Sequence, residues 1–142
     1  MSTPKRKQLT QELNKQIRFL TANSVIFSKV IADKVGQHST DLECLDFLLL
    51  SGPSTAGKLS ELTGLTTGAV TAVIDRLEKA GYVKRARDKN DRRKVIVVPN
   101  EAKIDSEIAP FSRSMGVALD ALSKEFSEDE IEMILQFLAK AN

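Results

Sequence analysis

A chain of 142 residues with 42% hydrophobic and 28% charged residues has the make-up of one compact folded unit with helical extensions, which excludes wholesale disorder. No apolar stretch is long enough to span a bilayer, and the N-terminus MSTPKRKQLTQELNK lacks the apolar centre of an export signal. A cytoplasmic location is therefore expected, and the single cysteine, Cys44, suits that reducing setting.

The net charge of +2 conceals strong segregation along the chain. Residues 1–35 carry a net +5, residues 36–75 a net −4, residues 76–94 a net +6 and residues 95–142 a net −5. The +6 block contains RARDKNDRRKV (85–95), whose natural partner is a polyanion.

In chain order, Leu9, Leu13, Ile17, Leu20, Ser24, Phe27, Ile31 and Val35 recur at three- or four-residue spacing and predict a long amphipathic helix that Gly36 stops. Thr40-Asp41-Leu42-Glu43 has the form of a capping box and is expected to open a second helix carrying Leu42, Leu45, Leu48 and Leu49, ending near Ser51-Gly52-Pro53. Ser54 or Thr55 can cap a short helix with Leu59 and Leu62. It closes at the turn Thr63-Gly64-Leu65, after which Thr66 or Thr67 can cap another helix. In that helix Val70, Val73, Ile74 and Leu77 mark one buried face. A helix, a short glycine-containing turn and a helix make a helix-turn-helix.

Beyond Gly81 the β-prone segments 82–87 and 94–98, separated by DKNDRR, predict a hairpin, with Pro99 ending its second strand. Ile104, Ile108, Phe111, Met115, Leu119 and Leu122 trace another helical stripe, which Pro110 is expected to bend. Ser127-Glu128-Asp129-Glu130 is a capping box that opens a final helix with Ile131, Ile134, Leu135 and Leu138.

A basic hairpin directly after a helix-turn-helix is a winged helix. The expected fold class is mainly α with a small β-hairpin wing. Residues 38–100 would form the DNA-binding lobe, flanked by helical regions at residues 1–37 and 101–142. The side of the second motif helix opposite its buried stripe holds Gly68, Thr71, Ala72, Asp75 and Lys79, flanked by Thr67 and Arg76. Small hydroxyl-bearing residues at a helix N-terminus suit close approach to phosphates or base edges, and Thr67 and Thr71 suit contact with bases or with thymine methyls. Arg76 is the one guanidinium near this face, and Asp75 is placed to pair with an arginine of the wing.

The stretch LSELTGLTTGAVTAVIDRLEKAGYVKRARDKNDRRKVIV resembles the helix-turn-helix and wing of the MarR (multiple antibiotic resistance regulator) family. The resemblance rests on the L-x-x-x-T-G-L turn at Leu59–Leu65, the V-T-x-x-I-D-R-L-E-K-x-G-Y-V segment at Val70–Val83 and the wing motif D-x-R at Asp91–Arg93. It implies a homodimeric transcriptional regulator, by default a repressor, on a pseudo-palindromic site in double-stranded DNA, with release by a small aromatic or anionic effector. It implies DNA contacts from Ser54, Thr55, Thr66, Thr67, Gly68, Thr71, Ala72, Arg76, Arg85, Arg87, Asp91, Arg92, Arg93 and Lys94. Arg93 would enter the minor groove, held by Asp91. Residues 1–37 and 101–142 would be the dimerisation region, with Leu9, Leu13, Ile17, Leu119, Leu122, Ile131, Ile134, Leu135 and Leu138 forming the dimer interface. The chain departs from the family's pattern at Ala72, where relatives often carry arginine, and after the second strand, where VVPNEAK replaces the common LT-x-x-G.

Other classes fit less well. One histidine, one cysteine and no glycine-rich phosphate loop leave little for an enzyme to work with, and no cofactor or metal is expected. Cys44, between acidic neighbours in a leucine-rich helix, is expected to be a structural cysteine. A winged helix used only for contact with other proteins is the alternative, but it has no use for so basic a wing.

Overall fold

The computed structural model describes residues 3–142. The element order is α1 (Pro4–Val35), α2 (Ser39–Ser51), α3 (Ala56–Thr63), α4 (Thr67–Lys79), β1 (Val83–Arg87), β2 (Val95–Pro99), α5 (Glu101–Glu107), α6 (Ala109–Ser123) and α7 (Glu128–Ala141). None of these helices is long and apolar enough to cross a membrane.

Helix α1 is capped by Thr3, whose hydroxyl accepts from the Arg6 N–H, and it ends at Gly36. Helix α2 departs from the expected capping box. It starts at Ser39, one residue before Thr40, with His38 at the cap and no side-chain bond there. The His38 carbonyl accepts from Asp41 and Leu42, so Thr40 lies inside the first turn, where a hydroxyl cannot cap. Asp41 is drawn inward instead. Thr55 caps α3 and Thr66 caps α4 through the Lys58 and Ala69 N–H groups. Between them Gly64 takes the left-handed conformation, φ 70°, that a side chain would strain.

One core lies beneath the motif. Leu45 and Leu48 of α2, Leu59 of α3, the full stripe Val70, Val73, Ile74 and Leu77 of α4, and Tyr82, Val83 and Val97 of the hairpin pack together. Each wholly buried leucine, such as Leu48 or Leu77, contributes about 1.5–3 kcal/mol. Ile104 of α5 joins this core, so α5 packs with the winged lobe although it lies beyond residue 100. A smaller cluster of Ile31, Ala32 and Leu42 fastens the end of α1 to α2.

The hairpin is antiparallel, with Arg85 opposite Val97 and Arg87 opposite Val95. Ser54 adds a short bridge to its outer edge by exchanging backbone bonds with Val97. The stripe beginning at Ile104 is broken, not bent, near Pro110. Helix α5 ends at Glu107 and α6 restarts at Ala109 with the proline in its first turn, where no N–H is missed. Every residue of α6 and α7 is at least partly exposed within the single chain. Ser127 and Glu130 form the expected capping box of α7, each side chain bonding the other's backbone N–H.

Candidate nucleic-acid interface

The buried stripe of α4 rotates Thr67, Gly68, Thr71, Ala72, Asp75 and Lys79 to the surface. On that face Thr66 spends its hydroxyl on the cap, and the Thr71 hydroxyl donates back to the Thr67 carbonyl at 2.9 Å. Gly68 and Ala72 keep the surface low, so the first two turns of the helix can approach a partner closely.

The two guanidinium groups nearest this face are both engaged within the chain. Arg76 turns toward α2, where its Nε donates to Asp41 Oδ2 at 2.8 Å and its Nη2 to Asp41 Oδ1 at 2.6 Å. Asp41 is fully buried, and the hydrogen bond to it pushes the Arg76 pKa further up. Arg85 of β1 donates through Nη2 to Asp75 at 2.6 Å and through Nη1 to Glu78 at 2.8 Å, while its backbone N–H also bonds Glu78. The expected pairing of Asp75 with a wing arginine is thus present. Both arginines, expected among the DNA contacts, are bound in place by carboxylates. The Arg85 bridge also sets the root of the wing beside the exposed face of α4.

The wing tip is shaped by two aspartates. Asp88 Oδ1 accepts the backbone N–H groups of Asn90 at 2.7 Å and Asp91 at 3.2 Å, which hold its carboxyl below the ordinary aspartate pKa. Asp91 Oδ1 in turn accepts from both the backbone N–H (3.1 Å) and Nε (3.3 Å) of Arg93. The Arg93 side chain is 94% exposed, so Asp91 holds it without covering it. Arg92 and Lys94 are exposed beside it, and Arg87 bonds the Arg92 carbonyl. Ser54 and Thr55 sit at the α3 entrance, where Ser54 bonds the Gly52 carbonyl and Thr55 forms the cap.

Three parts of this site were missed at the level of sequence. The first is Asp41 as the anchor of Arg76. Its four-residue spacing from Leu45 places it on the buried face of α2, which was the available signal, since a buried carboxylate needs a cation. The second is Asp88, which an Asx-turn pattern ahead of Asn90 could have suggested. The third is a clamp behind the wing. Asn100 caps α5 and also donates to the Gly81 carbonyl, and the Lys103 ammonium donates to the Ala80 carbonyl at 2.7 Å, lying 5.1 Å from the Tyr82 ring centre. The Tyr82 hydroxyl donates to Glu107 at 2.8 Å. Asn100 and Lys103 both belong to the segment VVPNEAK. Cys44 is buried in the core, and desolvation followed by the nearby Asp41 charge raises its thiol pKa, as suits a structural cysteine.

A cavity of about 370 Å³ lies between α1, α2, α5 and α6, lined by Leu20, Phe27, Leu45, Leu49, Ile108 and Met115 among others. Asp46 is the one charged residue in its lining, joined by Ser24, Ser28 and Ser112. Desolvation, with Glu43 adding to it, pushes the Asp46 carboxyl above its ordinary pKa.

A helix-turn-helix with an exposed, low-relief second helix and a basic hairpin at its side defines a winged helix-turn-helix protein. The MarR family model matches residues 38–95, from the start of α2 to the start of β2. An uncharacterised HTH-type transcriptional regulator of Bacillus subtilis (strain 168), YcgE, is 42% identical over 136 residues, spanning 96% of this chain and 88% of that protein. A MarR family protein from Bacillus stearothermophilus has the same fold with a TM-score of 0.70 and 27% identity, covering 95% of this chain and 94% of the other. A mutant form of MepR from a multidrug-resistant S. aureus clinical isolate superposes with a TM-score of 0.74 at 16% identity, over 91% of this chain and 94% of its own, a likeness of fold alone. The chain belongs to the MarR family of transcriptional regulators.

Proposed function

We propose that this regulator binds a pseudo-palindromic site in double-stranded DNA as a homodimer and represses transcription by occluding a promoter. The observation that carries the reading is the shared side of α4 and the wing. The Arg85–Asp75 pair ties the root of the wing to the exposed face of α4, and Arg93, held by Asp91 yet exposed, stands at the wing's tip. With the start of α4 in a major groove, the wing would reach the adjacent minor groove, with Arg93 inserted and Arg92 and Lys94 on the backbone. In this reading Arg76 and Arg85 position the helix and the wing, and do not themselves touch bases.

The dimer is supported by apolar surface that one chain leaves uncovered. Leu9, Leu13 and Ile17 of α1, Leu119 and Leu122 of α6, and Ile134, Leu135 and Leu138 of α7 are all exposed, Leu135 at 59%. Ile131 is half-buried at the start of the same face. Residues 1–37 and 108–142 would then form the dimerisation region, with α5 linking it to the lobe. Two recognition helices would sit about 34–36 Å apart, one turn of DNA.

The cavity between the two regions is a place for an effector. Its apolar lining suits a small aromatic molecule, and with Asp46 as its charged group it offers an anionic effector no counter-charge. To lower DNA affinity a hundredfold, the effector must favour the released dimer by about 2.7 kcal/mol.

The test is an anisotropy titration against the DNA upstream of the protein's own gene and against a scrambled duplex, at several salt concentrations, alongside selection from random duplexes. Tight, strongly preferential binding to an enriched sequence with a steep salt slope supports the reading. Equal, weak binding to both duplexes with no enrichment overturns it.

A further inference from the structure

Resting on the DNA-binding reading above, we propose that the recognition helix reads thymine 5-methyl groups, through the γ-methyl of Thr71 and the β-methyl of Ala72, and makes no bidentate contact to guanine. The half-site facing α4 is accordingly rich in thymine.

The inference comes from what the fold leaves available on α4. In the major groove guanine is recognised by two parallel N–H donors of an arginine or by a lysine, and adenine by the amide of asparagine or glutamine. The exposed face of the first two turns holds Thr67, Gly68, Thr71 and Ala72, none of which carries such a group. Lys79, the last residue of α4, lies at the end away from the N-terminal turns that reach base edges.

The neighbouring guanidinium groups do not fill the gap. Arg76 lies in the third turn of α4, behind the N-terminal turns that reach base edges, and its Nε and Nη2 are held on the buried carboxylate of Asp41, which turns the group toward α2. Arg85 is divided between Asp75 and Glu78. Breaking either pair to reach a base would strand a carboxylate, a fully buried one in the case of Asp41.

Two of the three threonine hydroxyl groups at the start of α4 are also engaged, and a lone hydroxyl such as that of Thr67 reads no base uniquely. The Thr66 hydroxyl accepts at the cap, and the Thr71 hydroxyl donates its proton back to the Thr67 carbonyl. Thr71 is exposed and brings a γ-methyl to this face. Ala72 offers a second methyl beside it, and Gly68 lets the backbone approach. Methyl groups on a helix face discriminate one base pair in the major groove, the one whose pyrimidine carries a methyl.

The experiment uses the full-length protein and random-sequence duplexes, first to recover preferred sites and then to rebuild the recovered duplex with deoxyuridine in place of thymidine. The expected result is a thymine-rich half-site and a loss of about fourfold in affinity for each contacted methyl removed. Thr71→Ser, which deletes the protein's methyl group and keeps the hydroxyl, should shrink that uracil penalty without changing the oligomeric state. Equal affinity for the thymine and uracil duplexes overturns the proposal and leaves DNA binding intact. So do invariant guanines under α4 whose replacement by 7-deazaguanine abolishes binding. Failure to recover any preferred duplex overturns both the proposal and the DNA-binding reading on which it rests.

Discussion

Arg76 of α4 and Asp41 of α2, 35 positions apart in the chain, form a two-pronged ion pair whose carboxylate is wholly buried and whose guanidinium side chain is partly exposed. The pair fixes the rotation of the recognition helix about its own axis, because α4 cannot turn without withdrawing one prong. Removing one partner from such a pair leaves a buried charge unsatisfied. Arg76→Ala should therefore lower stability by about 2–4 kcal/mol, toward the lower end because the arginine is partly solvated. Urea denaturation measures this directly. A variant of unchanged stability but weakened DNA binding would make Arg76 a DNA contact instead.

Arg85 bridges Asp75 and Glu78, and so offsets half the charge of the two carboxylates that α4 presents beside the wing. Arg85→Ala should weaken DNA binding by uncovering that charge and loosening the wing. Adding Asp75→Asn to it should recover part of the loss, since one bare carboxylate is removed. Anisotropy titrations of the two single variants and the double variant measure the coupling. Additive losses in the double variant would mean that the bridge does not serve this purpose.

At the tip of the wing, Arg93→Ala should cost about 1–3 kcal/mol in specific binding and leave the oligomeric state unchanged. Asp91→Ala should cost less, because it frees Arg93 without removing it. Affinity for the selected site, read against sedimentation of the same samples, separates the two effects.

Tyr82, the chain's only tyrosine, is buried behind the wing and bonded to Glu107, and its pKa is pushed up to about 12 by desolvation first and by the Glu107 bond second. The folded state thus favours the neutral phenol. This contribution to stability is complete below the ordinary tyrosine value of about 10 and is lost as pH rises from there toward 12. With one tyrosine and no tryptophan, phenolate absorbance reports this group alone. Titration near pH 10 in the folded protein would contradict the burial and the bond together.

Removal of residues 127–142 should abolish dimerisation before it unfolds the winged lobe, because every residue of α7 is at least partly exposed and none belongs to the buried core. Sedimentation equilibrium and the far-UV melting curve of the truncated chain give the two readings. A truncated chain that remains a dimer would place the interface elsewhere.

The succession of elements, the wing and the outward face of α4 were all legible in the order of residues, because they follow from local rules. The three- and four-residue spacing of Val70, Val73, Ile74 and Leu77 defines a helix and its buried side, glycine at 64 defines a turn, and a basic gap between two β-prone runs defines a hairpin. The capping box at Ser127 was legible for the same reason, since all its bonds lie within four residues. The apparent box at Thr40 failed because a long-range demand outweighed the local one: the helix starts earlier, and Asp41 turns inward to meet Arg76. Packing in three dimensions was needed to show that Arg76 and Arg85, charged candidates for DNA on any linear reading, are spent on Asp41, Asp75 and Glu78. The same holds for the joining of Asn100 and Lys103 to the end of α4. An ion pair depends on where two side chains meet in space, and the sequence separation of Asp41 and Arg76 carries no periodic signal from which that meeting could be read.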